Sequence, residues 1–409
     1  MNKWALWMCW LCAMSDGLYG VLAGGRPNAV SGGQNAFAGV VNPANSVWVE
    51  DRVDVGGFFV HQTSFLRNQD HNPFFPPGSL DQTYRVKWLS TVDAAIHKRF
   101  LLWRTACSLS GAFYTTPGYT KLRTKTPLSL LGQTPVIVEN KTEVCSAVFS
   151  CKIHPNHSFG MSMDYFMLSH RRNGFQNADN PFFSVSPGHV TNRGKDRSSG
   201  VGWSVGWRWK VDDALAVGLV FVKKSSVGQY RKYRGYEPDH AKNSIPKTIG
   251  GGCTYHFSSK MAGRLEFLWT GLGDLPNANN AIEPDGTLNL HKKGSKKSSG
   301  PGLQNATYLN VGLGYAPFAG VAVGLGFSHR FKHARRSPYI LSHGYMRQIT
   351  YDLITIGANV RLGLHDWFFS LSHGLSNHQS GTMPKVLGGG NFSSVKHYDT
   401  LSFAWGYLY

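Results

Sequence analysis

The chain has 409 residues with 42 Lys plus Arg against 23 Asp plus Glu, giving a formal charge of +19, together with 47 glycines and 13% aromatic residues. No stretch reaches the roughly 18 consecutive apolar residues of a spanning helix, so a helical membrane protein is excluded. The basic residues are scattered, and the one run, Lys292-Lys293-Gly294-Ser295-Lys296-Lys297, lies in a Gly/Ser-rich loop, which argues against nucleic acid as a partner. The charge points instead to phosphate-rich lipid headgroups or to anionic solutes drawn toward a pore. No linker, heptad or helical period divides the length into soluble domains.

At the N-terminus, Met1-Asn2-Lys3 supplies a positive charge, Trp4 to Met14 is apolar, and Ser15, Gly17, Gly20, Ala23 and Gly24 are small. That order is signal-peptide architecture, assigned to 1–20. Residues 21–50 follow as a small, polar, turn-prone segment that includes Gly32-Gly33-Gln34-Asn35-Ala36-Phe37 and Asn42-Pro43-Ala44-Asn45. It is too long for a simple leader, and it is expected to fold back into a lumen.

From 51 to 409, period-two segments bounded by turn residues predict strands near 52–64, 85–96, 100–114, 137–152, 157–170, 199–210, 214–227, 245–257, 260–272, 304–316, 319–331, 345–362, 364–376 and 395–409. Val201, Trp203, Val205, Trp207 and Trp209 alternate with Gly202, Ser204, Gly206 and Arg208, and Val321, Val323, Leu325 and Phe327 alternate with small residues. Such alternation describes a strand with one face on hydrocarbon and the other on a crowded or wet interior. Short connections such as Val211-Asp212-Asp213, Ser258-Ser259 and Pro317-Phe318 alternate with long ones at 65–84, 171–198 and 273–303. Tight turns on one side and long loops on the other are the pattern of a barrel in the bacterial outer membrane, with periplasmic turns and external loops. Ser258, Asp212 and Pro317 are therefore expected in the periplasm and Lys293 and Gly300 outside. The last strand places Leu401, Phe403, Trp405, Tyr407 and Tyr409 on one face. Its aromatic end resembles the assembly signal of outer-membrane barrels, which makes the assembly machinery and outer-membrane lipid expected partners.

Charges on the lipid face would cost roughly 2–4 kcal/mol near the bilayer midplane, so Arg208, Arg264, Glu266 and Asp164 are placed inside. They serve either as internal ion pairs or, for the two arginines, as a path for an anionic headgroup. Four cysteines remain in the mature chain, Cys107, Cys145, Cys151 and Cys253, with no CxxC pair and no zinc spacing. Cys145 and Cys151 lie on one predicted strand about 20 Å apart by strand rise, so they cannot pair with each other. Gly202-Trp203-Ser204-Val205-Gly206 matches GxSxG but sits within an alternating strand, where no nucleophile elbow forms. The histidines show no HExxH or close ligand set. No enzyme activity, cofactor or metal is expected.

Asn42-Pro43-Ala44, about ten residues before the first strand, resembles the hallmark of the FadL-type outer-membrane transporters of long-chain fatty acids. The stretch Gly202 to Trp209, followed by Ala214 to Phe221 and Lys224-Ser225, is similar to the paired central strands of that family. The resemblance implies an all-β transmembrane antiparallel barrel of about fourteen strands with a short N-terminal hatch in its lumen. It further implies passive passage of a hydrophobic or anionic amphipathic small molecule past a gate at Asn42, Pro43 and Ala44. The exit would be a lateral gap where the third strand kinks, which in this chain falls on Ser108, Ser110 and Gly111. An open diffusion porin and a surface-loop adhesin are the alternatives.

Overall fold

The computed structural model describes residues 30–68, 82–116, 120–127, 132–275, 291–298, 304–331, 352–382 and 390–409. Expectations about the signal segment, the start of the hatch, Gly300 and 345–351 lie outside the described residues. In chain order the strands are β1 (Arg52–Asn68), β2 (Gln82–Ser90), β3 (Asp93–Leu102), β4 (Thr105–Thr115), β5 (Thr120–Pro127), β6 (Pro135–His154), β7 (His157–Asn173), β8 (Asp196–Lys210) and β9 (Leu215–Val222). They continue with β10 (Ser225–Gln229), β11 (Lys242–Ile245), β12 (Thr248–His256), β13 (Met261–Thr270), β14 (Ala306–Phe318), β15 (Val321–Arg330), β16 (Asp352–Leu362), β17 (His365–Thr382) and β18 (Asn391–Leu408).

Sixteen of these segments form one antiparallel sheet, and β18 pairs with β1 from Arg52↔Leu408 to Asn68↔Phe392, so the sheet closes on itself. Closure removes the edges that lipid could not satisfy. β2 with β3, and β4 with β5, are each a single crossing that is interrupted, which makes a barrel of fourteen strands. The predicted seventh strand overran: β9 stops at Val222, and 225–229 leave the wall to pair with β11 as a hairpin among the loops. The turn expected near 97–99 lies at Trp103-Arg104 instead, both at positive φ, so β3 runs past its predicted end.

The exterior follows the lipid rule. Val201, Trp203, Val205, Leu265, Phe267, Val311, Leu313, Leu325, Ile356, Phe369, Leu371 and Leu401 are exposed, whereas Gly202, Ser204, Gly206, Arg208, Arg264, Glu266 and Asp164 are buried on the inner side. At the tight-turn end an aromatic belt runs along the outside, with Trp207 stacked near Trp209 and His157, and Trp405 near Trp367, His365 and Tyr407. Such girdles mark a membrane boundary. The expected loop sorting is present: Asp212, Ser258 and Pro317 lie at or beside tight turns at the end of β1's start and Tyr409. Lys293 lies at the other end, bonded to Phe183. Cys107 and Cys151 face each other across β4 and β6 as a disulfide, while Cys145 and Cys253 are free.

Candidate functional site: hatch, apolar column and wall gap

The segment before β1 crosses the lumen. Phe37 is fully buried, and Ala38–Val41 form one helical turn followed by a 3-10 helix, Pro43–Trp48. Asn42 starts the second helix: its backbone is extended, its Oδ1 accepts from Ala44 N at 3.1 Å, and proline follows at the first helical position, where a missing N–H costs nothing. Asn42 Nδ2 donates to the Val30 carbonyl at 2.6 Å and to the Trp207 carbonyl at 3.2 Å. The triplet thus packs on β7 and β8. A β-carbon at Gly206 would stand 1.8 Å from Asn42 Oδ1, and one at Gly160 would stand 2.4 Å from the Pro43 carbonyl carbon. The Ala44 carbonyl accepts from Ser158 Oγ at 2.8 Å.

The triplet thus sits away from the third predicted strand, near 100–114, where the exit is expected. Only the following turn reaches there: Ser46 Oγ lies 2.6 Å from Ser110 Oγ and 3.2 Å from His97 Nδ1, and His97 Nε2 donates to the Val49 carbonyl at 3.0 Å. Ser108 and Ser110 face inward, but Gly111 lies among the outward positions between exposed Leu109 and Phe113. All three are regularly paired to both β3 and β6, so the kink expected at 108–111 is absent.

The wall is interrupted farther along. The ladder between β3 and β4 ends at Ala94↔Phe113, and Thr115 N then donates to the Asp93 carboxylate at 2.8 Å rather than to a carbonyl. On the neighbouring crossing, Thr91 N donates to the Phe58 carbonyl and its Oγ1 accepts from Phe58 N at 3.1 Å. On the third crossing, Thr115 pairs Glu143 whereas Thr120 pairs Asn140, so the register along β6 shifts by two between β4 and β5. Beyond these breaks, among the described residues, β2 pairs only with β1 and β5 only with β6. The second and third crossings therefore lack a common ladder in their outer halves, although β2 and β5 still run close together. Backbone without a ladder at membrane depth is tolerated where it borders a filled cavity or passage.

Leading to that gap is a continuous cluster of buried apolar side chains. Tyr230, Tyr233, Val227 and Ala241 from the external loops meet Phe166, Leu168 and Val144 on the wall, then Tyr114, Ala112 and Ala95 beside the break, and Phe37 and Ala36 of the hatch. Above it lies a charged cap. Arg172 is buried and pairs with Glu237, its guanidinium lies 3.9 Å from the Tyr236 ring centre and 4.8 Å from that of Phe175, and Lys293 Nζ lies 5.2 Å from Tyr236. His170 stacks on Tyr230 at 5.1 Å, which joins cap to column. Burial works to raise the Glu237 carboxyl, yet Arg172, His170 and Lys293 together hold it below the usual range. Burial pushes the Lys293 ammonium down to about 8. Farther out, Phe182 and Phe183 form an edge-to-face pair at 4.8 Å, and Phe182 is 76% exposed. Cap and column were missed in the sequence because their members come from the hatch, four wall strands and three separated loop segments.

The four lumen charges are all inside, with structural partners. Asp164 accepts from the hydroxyls of Ser146 and Ser162. Glu266 Oε1 accepts from Val30 N at 2.5 Å and its other oxygen lies 3.9 Å from Arg264 Nε. Arg208 stacks on Trp48 at 4.9 Å. The Glu266 and Arg208 contacts anchor the hatch, as does Asp54, which accepts from Ala36 N at 2.6 Å and is bonded to Arg52, itself bonded to Asp366. Asp164 and its partner Ser146 stand beside Tyr114 at the foot of the column. Among the described residues no group of His, Cys, Asp and Glu could hold a metal ion.

No family model matches the sequence, and no curated protein does. Solved structures match the fold. The P. putida toluene transporter TodX superposes with a TM-score of 0.66 at 11% identity, covering 97% of this chain and 99% of that one. The Ralstonia pickettii toluene transporter TbuX gives 0.63 at 10% identity, with 97% and 99% covered. A Pseudomonas aeruginosa FadL homologue gives 0.60 at 15% identity, with 97% and 98% covered. The chain therefore has the fold of these proteins, a closed barrel of fourteen antiparallel strands with an N-terminal segment within.

Proposed function

We propose that this barrel sits in the bacterial outer membrane and admits small hydrophobic molecules passively, capturing them at the external loops and releasing them sideways into the membrane. The observation that carries this reading is that the apolar column descends from the cap and ends at Ala95, Ala112 and Tyr114, beside the crossing pair whose ladder stops at Ala94↔Phe113. A hydrophobic solute gains roughly 25 cal/mol for each Å² it buries along such a lining, whereas a sugar or ion gains nothing. A lateral exit also spares it the aqueous periplasm. The hatch, fastened from β1 to β13, obstructs a straight aqueous path.

Both toluene transporters share this fold, which supports an uncharged aromatic or aliphatic cargo. A long-chain fatty acid is the amphipathic alternative, its carboxylate then lying at the basic cap. The gate belongs to the Asn42-Pro43-Ala44 turn, which must shift on Gly160 and Gly206 for passage. The assembly machinery would meet the C-terminal strand, whose outward Tyr407 and Trp405 complete the belt.

The test is uptake into proteoliposomes holding the full-length barrel. Toluene or a fatty acid should equilibrate faster than in protein-free vesicles, while glucose and potassium should not. Equal passage of all four would favour an open porin instead.

A further inference from the structure

Resting on the proposed uptake of hydrophobic molecules, we infer that Glu237 is a specificity-determining residue that turns the cap against ligands with an anionic head, leaving uncharged hydrophobic molecules as the preferred cargo. A guanidinium captures a carboxylate bidentately through either of two forks, Nε with Nη2 or Nη1 with Nη2. Glu237 holds Arg172 through Nη2, the nitrogen that both forks share. Nε and Nη1 of Arg172 have no hydrogen-bond partner among the described residues, yet neither can form a fork without bringing a second carboxylate against Glu237. Their faces are taken by Tyr236 and Phe175 instead.

The surroundings reinforce the exclusion. Arg172 is 2% exposed, so water does little to screen two carboxylates from each other there. His170 Nε2 lies 3.9 Å from Glu237 on the column side, and the His170 ring stacks on Tyr230 and meets Tyr233 edge-on at 4.9 Å. The groups at the entrance of the column are thus the aromatic faces of Tyr230, Tyr233 and Tyr236, the Arg172 guanidinium already bonded to Glu237, and the Glu237 carboxylate itself. A neutral ring or chain end suits that lining, while a carboxylate would lose its water and meet like charge.

Calorimetric titration of the purified full-length barrel with 1-decanol and with decanoate, equal in chain length and different in charge, tests this. The wild type should bind decanol at least about tenfold more tightly, and Glu237→Gln should raise decanoate affinity about tenfold while decanol stays within about twofold. Heat-modifiable migration on gels shows whether the variant is folded. If it is not, the wild-type comparison decides alone. Wild-type binding of decanoate as tight as decanol overturns the inference and leaves hydrophobic uptake standing, as does a folded Glu237→Gln barrel with an unchanged preference. Binding of neither molecule overturns both.

Discussion

The inner wall has two faces built on the same outer pattern. From β3 to β7 the inward side chains Ala95, Ala112, Tyr114, Val144, Phe166 and Leu168 form an apolar band continuous with the hatch and the cap, with Ser108, Ser110, Ser146 and Asp164 inward beside it. From β14 to β18 the inward side chains include buried Asn310, Ser328, Thr355, Ser370, Ser372, Thr400 and Ser402, set between the small apolar clusters of Ala322, Phe368 and Ala404 and of Leu353 and Tyr398. The second face bonds within itself: Ser328 Oγ donates to Asn310 Oδ1 at 2.7 Å, and Thr355 Oγ1 to Ser372 Oγ at 2.8 Å. Lipid imposes one rule on every outward residue, but the interior imposes none, so it can divide labour. One face offers apolar contact to a passing solute, and the other links hydroxyls and amides across neighbouring strands.

The largest expected effect removes what both faces share. Deleting 30–48 takes out the hatch, and the lumen of a fourteen-stranded barrel is too wide for wall side chains to fill. Single-channel conductance in planar bilayers should rise at least about tenfold, because the remaining wall encloses an open bore. Unchanged conductance would show that the wall itself closes the path.

Next is a paired substitution that sets the faces against each other. Phe166→Asp puts a charge into the apolar column and should slow toluene uptake about tenfold or more, since burying an unpaired carboxylate repels an apolar solute. Thr355→Asp on the polar face should leave uptake within about twofold, with hydroxyls of Ser372 and its neighbours near enough to bond the new group. Equal losses would erase the distinction.

A smaller effect is expected at the hatch seat. Gly206→Ala forces Asn42 Oδ1 away and should destabilise the folded barrel by about 1–3 kcal/mol, the usual cost of overpacking. It would read as a lower midpoint of heat-modifiable migration. Gly111→Trp, on the outward face, should change neither uptake nor hatch position; slowed uptake there would return the gate to strand 3.

The smallest effect concerns pH at the cap. Lys293 gives up its proton at about 8 when folded but near its ordinary 10.5 when unfolded. Between those values the unfolded cap binds more protons, so the folded cap gains stability as pH rises through that window and carries the full desolvation cost below it. Hydrogen exchange at the Gly235 amide, bonded to the His189 carbonyl, should slow with pH relative to Lys293→Met, by no more than about tenfold per unit, the limit for one proton. Parallel profiles would exclude Lys293.

The sequence alone determined the barrel, because lipid acts on each outward residue independently and writes a period of two into every crossing. Strand number, turn and loop sorting, and the inward placement of Arg208, Arg264, Glu266 and Asp164 were all legible for that local reason. The interrupted crossings left fainter marks, Thr91 and Asp93 within a strand and Pro117-Gly118 after Thr115, which read as ordinary loop signals. Tertiary structure alone decided where the hatch sits, since the hollows at Gly160 and Gly206 exist only once β7 and β8 lie side by side. It also decided that Arg172, Glu237 and Lys293 form one cap: they stand on segments up to 121 positions apart, and no period relates loops that meet only when the barrel closes.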